Sequence, residues 1–274
     1  MTPISVTIAG SDSSGGAGIQ ADLKTFAALG VYGASVIAAL TAQNTQGVTA
    51  IHDVPADFIA AQIDAVFSDL AVGAVKIGML SQVPAIKAVA ASLDRHGASN
   101  IVLDPVMVAT SGDRLLATDA VETLRRLLLP RAMVVTPNLP EAAMLVGASV
   151  ARDEGEMEAQ ARAIMALGAH SVLIKGGHNH GEESVDLLVG PAGVLRLAVR
   201  RIVTRNTHGT GCTLSSAIAA GLAKGLDLFA AARQAKDYVS AAIAAADRMR
   251  ISRNPERGHG PLNHFYAQTE WREP

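Results

Sequence analysis

The sequence predicts an α/β protein with a central, mainly parallel β-sheet that is covered by helices on both faces. Short runs of β-branched residues alternate along the chain with Ala- and Leu-rich stretches of helical length. The strand-like runs are almost continuously apolar, which is typical of parallel strands buried on both faces. With 274 residues, 49% of them hydrophobic, the chain can also bury the core that such a sheet needs.

Six apolar runs are the candidate parallel strands, and each ends at a turn or at a polar residue. In chain order they are residues 4–8, 36–37, 75–77, 101–103, 133–135 and 172–174. Ligands of open α/β sheets bind beyond the carboxyl ends of the strands. We therefore expect the functional residues directly after these runs.

The last third of the chain departs from this alternation. Residues 184–189 and 194–203 are predicted to pair as a hairpin, because the Gly-Pro-Ala-Gly segment at 190–193 favours a turn. This hairpin would give the sheet a small antiparallel edge. Residues 213–224 and 228–248 then predict two Ala-rich helices.

Composition and charge exclude several classes of function. A net charge of -2 gives no electrostatic reason to bind nucleic acid. The sequence contains neither the roughly 18 uninterrupted apolar residues of a membrane helix nor an N-terminal secretory signal. The lone cysteine, Cys212, cannot form an internal disulfide. We expect a cytoplasmic protein in which residues 1–274 form a single domain, because no linker or repeat divides them.

A glycine-rich turn over residues 206–213 gives the strongest local signal. It follows a strand and leads directly into a predicted helix. Glycines let consecutive N–H groups converge on one point, and the positive end of the helix dipole favours phosphate there. The alternative is an ordinary helix start that uses glycine for a tight turn. The turn is not a Walker A loop, because it lacks the Gly-Lys-Ser/Thr sequence.

A second Gly- and Ser-rich segment, residues 9–18, follows the first strand. Its glycine spacing does not fit a dinucleotide-binding fingerprint. We interpret it as the wall of a small-ligand site, to which Asp12 and Asp22 offer carboxylates. The alternative is a solvated loop in which Asp12 and Ser13 cap the following helix.

Polar residues follow three of the other strands. They lie in the segments 41–44, 104–105 and 136–141. Asp104 and Glu141 are candidate Mg²⁺ ligands, because this hard cation prefers one or two carboxylates together with phosphate oxygens. The alternatives are ordinary turn chemistry for Asp104 and, for Glu141, a favourable interaction with a helix dipole.

Lys175 ends the strand-like run at 172–174, where its ammonium could meet nucleotide phosphates. A surface lysine is the alternative. His178 and His180 favour a solvated turn rather than a metal site, because no third ligand is positioned beside them. Met79 is either a pocket wall or core filler, and residues 109–116 are typical of a mobile flap.

Taken in order, these segments resemble the hydroxymethylpyrimidine/phosphomethylpyrimidine kinase family of thiamine biosynthesis, within the ribokinase-like superfamily. The resemblance covers nearly the whole chain. The segments that carry it are residues 8–24, 40–45, 76–80, 104–107, 175–178, 207–212 and 258–265. The glycine-rich turn or the Asn-x-x-Glu sequence at 138–141 alone would identify only the superfamily.

The resemblance implies a ribokinase-like fold, commonly assembled as a homodimer, and a Mg-ATP-dependent kinase. Its substrate would be 4-amino-5-hydroxymethyl-2-methylpyrimidine, which is phosphorylated to the monophosphate and then to the diphosphate. Gln43 would read the edge of the pyrimidine ring. The residues implied to lie near the ring are Gly10, Asp22, Met79 and Val106.

The resemblance also implies the phosphate-binding residues. Asn138 and Glu141 match the Asn-x-x-Glu motif for magnesium and phosphate, and Asp104 would join that network. Lys175 would face the nucleotide phosphates. The implied anion hole consists of Thr207, Gly209, Thr210, Gly211 and Cys212.

Cys212 departs from the wider superfamily, in which many members place an aspartate general base at this position. A thiol at a helix N-terminus can have a lowered pKa and can accept the hydroxyl proton. Alternatively, Cys212 only shapes the anion hole, because phosphoryl transfer depends mainly on alignment and charge stabilisation. Both interpretations stay open at this point.

Two other functions are compatible with the sequence. A pyridoxine or pyridoxal kinase also phosphorylates a hydroxymethyl group on a heteroaromatic ring. A non-catalytic pyrimidine or nucleotide sensor would use the fold for binding alone. The set formed by Asp104, Asn138, Glu141 and Lys175 favours catalysis, because a sensor does not need the whole phosphate-binding apparatus.

Overall fold

The computed structural model describes residues 1–107, 118–177 and 181–268. Nine strands are found there: β1 (Ile4–Asp12), β2 (Tyr32–Asn44), β3 (Gly47–Asp53), β4 (Ala74–Ile77), β5 (Ile101–Leu103), β6 (Val134–Val135), β7 (Val172–Lys175), β8 (Glu183–Gly190) and β9 (Gly193–Arg200). The helices are α1 (Gly18–Ala28), α2 (Ala56–Phe67), α3 (Val83–Arg95), α4 (Thr118–Leu127), α5 (Leu139–Val146), α6 (Glu154–Ala166), α7 (Thr210–Ala223) and α8 (Leu228–Ala244). Short 3₁₀ turns occupy Leu129–Arg131, Ala245–Arg248 and Pro255–Arg257.

The described strands form one sheet in the order β3-β2-β1-β4-β5-β6-β7-β8-β9. The six central strands, β2, β1, β4, β5, β6 and β7, pair in parallel. β8 and β9 add the antiparallel edge that the hairpin signal predicted. The prediction of a mainly parallel sheet with a small antiparallel edge is therefore confirmed.

Apolar residues cover both faces of the sheet. In β7, Val172 and Ile174 pack with helices α2 to α6 in one core cluster. Leu173, between them, packs with α1, α7 and α8 in a second cluster on the opposite face. Successive side chains of a strand point to opposite faces, so a strand buried on both faces needs a continuous apolar run. This explains the runs that identified the strands in the sequence.

Two strands are longer than predicted, and one was missed. β1 continues beyond residue 8 to Asp12 because it pairs with β2 up to the Asp12–Thr41 register position, and β2 continues to Asn44 because residues 42–44 pair with β3. The segment 41–44, expected to follow a strand, therefore belongs to β2. It pairs antiparallel with β3, whose residues 49–52 are exposed and lack the apolar run of a buried strand.

The C-terminal helices also differ slightly from the prediction. α7 begins at Thr210, three residues early, because Gly209 already serves as the N-cap. The long second helix ends at Ala244 and continues only as a 3₁₀ turn. The described tail then returns to the glycine-rich turn, where the His208 N–H donates to the Gly260 carbonyl. Among the described helices, none has both the length and the hydrophobicity needed to cross a membrane.

Candidate active site

A cavity of about 610 Å³ lies at the carboxyl ends of the parallel strands. This is the edge where the polar strand ends predicted a functional site, because the carboxyl ends of parallel strands meet there. The cavity receives all but one of the candidate site residues. They are Gly10, Gln43, Met79, Asp104, Val106, Asn138, Glu141, Lys175, Thr207, Gly209, Thr210, Gly211 and Cys212.

The glycine-rich turn forms one wall of this cavity. Gly209 has φ 84° and precedes the first turn of α7, and a Cβ atom there would overlap the carbonyl oxygen of Gly16. Both the left-handed backbone and the close approach therefore require glycine. The N–H groups of Gly211 and Cys212 lie in the first turn of α7, where they have no acceptor within the helix. The turn can accordingly bind an anion at the positive end of the helix dipole.

Lys175 lies directly across from this turn. A Cβ atom on Gly211 would lie 3.0 Å from Lys175 Nζ, so the absence of a side chain leaves room for the ammonium group. Lys175 Nζ lies 2.8 Å from Asp104 Oδ1 and 3.9 Å from Glu141 Oε2. Burial lowers the pKa of Lys175, but the charges of Asp104 and Glu141 outweigh burial and raise it. Lys175 is therefore a cation at neutral pH.

Asp104 is enclosed by donors. In addition to Lys175, it accepts a hydrogen bond from Thr136 Oγ1 at 3.1 Å and one from Ser215 Oγ at 3.3 Å. Burial raises the pKa of Asp104, but the positive charges of Lys175 and Lys76 outweigh burial and hold it below the usual value. Asp104 is therefore an ionised carboxylate below the anion-binding turn.

The Asn-x-x-Glu sequence forms a capping box at the start of α5. Asn138 Oδ1 accepts from the Glu141 N–H at 2.9 Å, and Glu141 Oε2 accepts from the Asn138 N–H at 2.8 Å. Glu141 thus also has the helix-start role that was its alternative interpretation. Burial raises the pKa of Glu141 to about 7, with the charge of Lys175 opposing the rise and that of Asp104 adding to it.

Cys212 is half-buried in the first turn of α7. Burial raises the pKa of its thiol to about 11; the charge of Lys76 opposes this rise, and the charges of Asp22 and Asp104 add to it. A helix N-terminus alone would lower this pKa. In this setting burial outweighs the helix, so the thiol is protonated at neutral pH.

Another part of the cavity wall is formed by Gly10, Gln43, Met79 and Val106. A Cβ atom on Gly10 would lie 2.7 Å from the methyl carbon of Met79, so glycine lets this thioether lie across β1. Ser13 Oγ bonds to both the N–H and the carbonyl of Gln43 at 2.8 Å, which fixes its backbone. This part of the wall can therefore hold a flat apolar ring with one amide group at its edge.

Asp22 lies behind the cavity wall, although the sequence suggested that it contacts the ligand. It is fully buried on α1, where its carboxylate accepts from Lys76 Nζ at 2.8 and 2.9 Å. Thr7 and Ser216 donate to it at 2.6 and 2.7 Å. The buried ammonium of Lys76 requires an anion as its partner, and this requirement accounts for the position of Asp22.

The sequence of the chain matches one protein family over most of its length. The profile of the family described as phosphomethylpyrimidine kinase matches residues 12–263. The chain belongs to the phosphomethylpyrimidine kinase family.

Three known proteins illustrate this relationship. The hydroxymethylpyrimidine/phosphomethylpyrimidine kinase of Rhizobium meliloti is 61% identical over 97% of this chain and 98% of that protein. The crystal structure of phosphomethylpyrimidine kinase from Clostridium difficile is 45% identical, with a TM-score of 0.78 over 88% of this chain and 99% of that one. An ADP complex of Bacillus subtilis pyridoxal kinase is 36% identical, with a TM-score of 0.87 over 98% and 99% of the two chains. The ribokinase-like fold is thereby confirmed, but it is common to kinases with different acceptors.

The phosphomethylpyrimidine kinase fold also brings residues to the cavity that sequence reasoning missed. Lys236 on α8 lies 2.8 Å from Asp186 on β8, and both are buried. Asp186 Oδ1 also accepts from the Gly176 N–H at 3.0 Å, next to Lys175. The available signals were Asp186 inside an apolar strand and Lys236 in an alanine-rich helix. Because an isolated buried charge is costly, each of these residues needs a partner of opposite charge. The pair lines the cavity beyond Lys175.

Asp12 and His208 form a second arrangement that the sequence did not predict in this kinase. Asp12 accepts hydrogen bonds from the N–H groups of Ser14, Gly16 and Ala17, so it organises the turn before α1, but the helix itself has no side-chain cap and the capping alternative is wrong. His208 Nε2 lies 2.9 Å from Asp12 Oδ2. Burial raises the pKa of Asp12, but these hydrogen bonds, that of His208 first, lower it to about 2.

Two sequence-based expectations fall outside the described part of the chain. They are the flap over residues 109–116 and the interpretation of His178 and His180 as a solvated turn.

Proposed function

We propose that the chain transfers the γ-phosphoryl group of ATP to 4-amino-5-hydroxymethyl-2-methylpyrimidine, and then phosphorylates the monophosphate to the diphosphate, in thiamine biosynthesis. One observation carries this proposal: the glycine-rich turn before α7 and Lys175 face the same cavity as the Gln43 amide. The names of relatives at 51 to 61% identity support the same activity. So does the occurrence of ATP-analogue and ADP complexes among similar structures.

The acceptor ring would lie between Met79 and Val106, with its polar edge against Gln43. Its hydroxymethyl group would then face the turn, and ATP would enter from the side of Lys175, Asn138 and Thr207. Phosphoryl transfer proceeds through a loose transition state, so the protein contributes mainly alignment and charge stabilisation. The N–H groups of Gly211 and Cys212, together with the Lys175 ammonium, would stabilise the phosphoryl group in transfer.

Asp104 and Glu141 fit the Mg²⁺ ion that we propose as part of the reaction. Both are buried carboxylates, and the raised pKa of Glu141 indicates a site where added positive charge is favourable. The described residues contain no group of three His, Cys, Asp or Glu side chains that could enclose a metal. An ion held by these two residues through water and nucleotide oxygens agrees with the preference of Mg²⁺. Its contribution would be to neutralise charge on the phosphates.

The proton of the acceptor hydroxyl must leave during the first transfer. A thiol with a pKa near 11 holds its own proton at neutral pH and accepts another group's proton poorly. We therefore favour the interpretation in which Cys212 shapes the anion hole and does not act as the base.

Mass analysis of the products tests the activity. The protein is incubated with ATP, magnesium and the hydroxymethylpyrimidine, and samples are taken over time. The proposal predicts the monophosphate first and the diphosphate later. A Lys175→Met variant serves as the control for contaminating kinases, and the absence of any phosphorylated pyrimidine with the parent protein would contradict the proposal.

Pyridoxal kinase activity is the second candidate. It is favoured by the TM-score of 0.87 to the Bacillus subtilis pyridoxal kinase, which is 36% identical. Assays with pyridoxine and with the pyrimidine, run side by side, separate the two functions. The proposal predicts that the pyrimidine is the preferred acceptor and that it alone proceeds to a diphosphate. Binding of either compound without ATP turnover would instead indicate a sensor.

We further propose that the chain acts as one domain, in a homodimer, in the cytoplasm. Support for one domain comes from the two core clusters, which share a single sheet. Support for dimerisation comes from β3, an edge strand with Ile51 exposed, and from exposed Leu40 on the adjacent β2. Light scattering on the parent protein and on Ile51→Asp tests the dimer.

ATP use and the free thiol of Cys212 fit a reducing compartment, which supports the proposed location in the cytoplasm.

A further inference from the structure

The side-chain amide of Gln43 lies between two polar groups on the cavity wall. Gln43 Oε1 lies 2.9 Å from Thr41 Oγ1, and Gln43 Nε2 lies 3.4 Å from His208 Nε2. The oxygen and the nitrogen of an amide are almost equal in size, so hydrogen-bond partners decide which of them occupies each end. The hydrogens on Thr41 and His208 therefore determine how Gln43 is oriented.

His208 presents a hydrogen on Nε2. This atom lies 2.9 Å from Asp12 Oδ2, and both side chains are more than nine-tenths buried. Asp12 is ionised, because its pKa is lowered to about 2, and an ionised carboxylate can only accept hydrogen bonds. The imidazole must then donate from Nε2, whether the ring is neutral or charged. An amide oxygen at 3.4 Å can share this N–H with Asp12 as the weaker acceptor of a three-centre hydrogen bond, whereas an NH₂ group would place two donors against each other.

Thr41 leads to the same orientation independently. Its hydroxyl oxygen lies 2.9 Å from the Ser11 carbonyl oxygen as well as from Gln43. A carbonyl can only accept, so the single hydroxyl hydrogen of Thr41 is committed to Ser11. The lone pairs of the hydroxyl then remain for a donor. The amide nitrogen of Gln43 supplies that donor if it lies on the Thr41 side.

We propose that His208, held by Asp12, is a positioning residue that turns the Gln43 amide by 180° from the orientation given above, so that its oxygen lies on the His208 side and its nitrogen on the Thr41 side. The inference that this selects the acceptor rests on the proposed function. With this orientation, Gln43 offers the cavity one oxygen lone pair and one N–H. This acceptor and donor pair matches an exocyclic amino group beside a ring nitrogen, as in bidentate recognition of adenine by amide side chains.

The orientation also decides where the reactive group points. In the pyrimidine, N3, the amino-bearing C4 and the hydroxymethyl-bearing C5 follow one another around the ring. If the amino group donates to Gln43 on the His208 side, the hydroxymethyl group lies further toward Gly209 and Cys212, where the anion-binding turn begins. The opposite amide orientation would place the hydroxymethyl group on the side away from the turn.

Nuclear Overhauser effects in the parent protein test the orientation without reference to activity. The Gln43 side-chain NH₂ hydrogens are assigned in ¹⁵N-labelled protein, and their contacts are measured. The proposal predicts contacts to the γ-methyl group of Thr41. Contacts to the imidazole Hε1 of His208, in their place, would overturn it.

A substrate analogue tests the consequence for specificity. The 4-oxo analogue of the pyrimidine has a carbonyl at C4 and an N–H at N3, so its edge is the reverse of the amino compound. We expect His208→Leu to lower the preference for the amino compound, measured as the ratio of kcat/KM values, by about 10- to 100-fold. His208→Gln retains an N–H donor toward Asp12 and should keep most of the preference.

The kinetic outcomes separate the possible failures. Equal losses for both compounds in His208→Leu, with the ratio unchanged, would show that His208 has only a structural role and would overturn its part in selection. If the parent protein phosphorylates neither compound, the proposed function fails. The Overhauser measurement still decides the orientation of the amide in that case. Thermal unfolding of both variants shows whether the fold is retained.

Discussion

The ammonium group of Lys175 lies 2.8 Å from Asp104 Oδ1, so an ion pair spans the floor of the cavity in the protein alone. Asp104 directly follows β5 and Lys175 ends β7, and both strands are neighbours of β6. Glu141 at the start of α5 lies 3.9 Å from the same ammonium. The site therefore holds one cation between two carboxylates. A phosphate that entered would compete with Asp104 for Lys175, which couples nucleotide binding to the charge of this cluster.

Lys175→Met is expected to lower kcat by at least about 100-fold, because a cation that faces transferred charge contributes on that scale. It also leaves two buried carboxylates without their partner, which is expected to reduce the free energy of unfolding by about 3 kcal/mol. Steady-state kinetics and urea unfolding measure the two effects. Lys224→Met, at an exposed position, is the matched control and should change neither. Unchanged kcat in Lys175→Met would remove this lysine from the proposed mechanism.

Gly209→Ala is expected to abolish phosphoryl transfer. It is also expected to reduce the free energy of unfolding by more than the usual cost of placing alanine in a left-handed backbone conformation. Gly225 provides the control, since it has the same φ of 84° but no atom within 4 Å of the position that a Cβ would occupy. Gly225→Ala should cost only about 1 kcal/mol, the usual penalty for that backbone conformation. At Gly209, the added Cβ also overlaps the Gly16 carbonyl and must move the anion-binding turn. Equal unfolding free energies for the two variants, with activity retained, would contradict this interpretation.

The sequence was sufficient for the elements whose signals are local. Continuous apolar runs identified the central strands, since each neighbouring residue packs on an opposite face. The turn before α7 was recognised because glycines directly before a predicted helix form a local sequence pattern. Residues at the carboxyl ends of parallel strands converge by topology alone, which explains why Gln43, Asp104 and Lys175 were placed together correctly.

Other features depend on partners that are distant in the chain. Asp22 was expected to contact the ligand, but its position follows from Lys76, 54 residues away, whose buried ammonium it neutralises. The Asp186 and Lys236 pair joins a strand to a helix across 50 residues of sequence. β3 was missed because an exposed edge strand carries no buried apolar run. A single sequence does not show which distant charges meet.

Stability is expected to fall as the pH is lowered from about 6.5 to about 4, because of His264. Burial first, and then the charge of Lys24, lowers the pKa of His264 to about 4 from its usual value of 6.5. Between these values the unfolded chain binds a proton that the folded protein does not, so acidification favours unfolding. The size of this contribution is about 3 kcal/mol.

Urea unfolding at several pH values measures the effect of His264. His264→Gln should make the free energy of unfolding less dependent on pH between 4 and 6.5, although it also changes the contact with Thr213. His259→Gln, at an exposed position, should leave the pH dependence as it is. A pH dependence that is identical in all three proteins would show that His264 does not titrate abnormally.

Cys212→Ala is expected to retain both phosphorylations within about 10-fold of the parent rate. A general base contributes about 100- to 10,000-fold, and a thiol whose pKa is raised to about 11 is not available as one near neutral pH. Cys212→Ser, which keeps a polar group of similar size, separates loss of shape from loss of the thiol.

The two transfers are measured separately, starting from the hydroxymethyl compound and from its monophosphate. The monophosphate is already ionised, so the second transfer needs little help from a base. A loss of about 100-fold or more that is confined to the first transfer would therefore show that the thiol takes the hydroxyl proton. Equal small losses in both transfers would leave Cys212 as part of the wall that positions the acceptor against the N–H groups of α7.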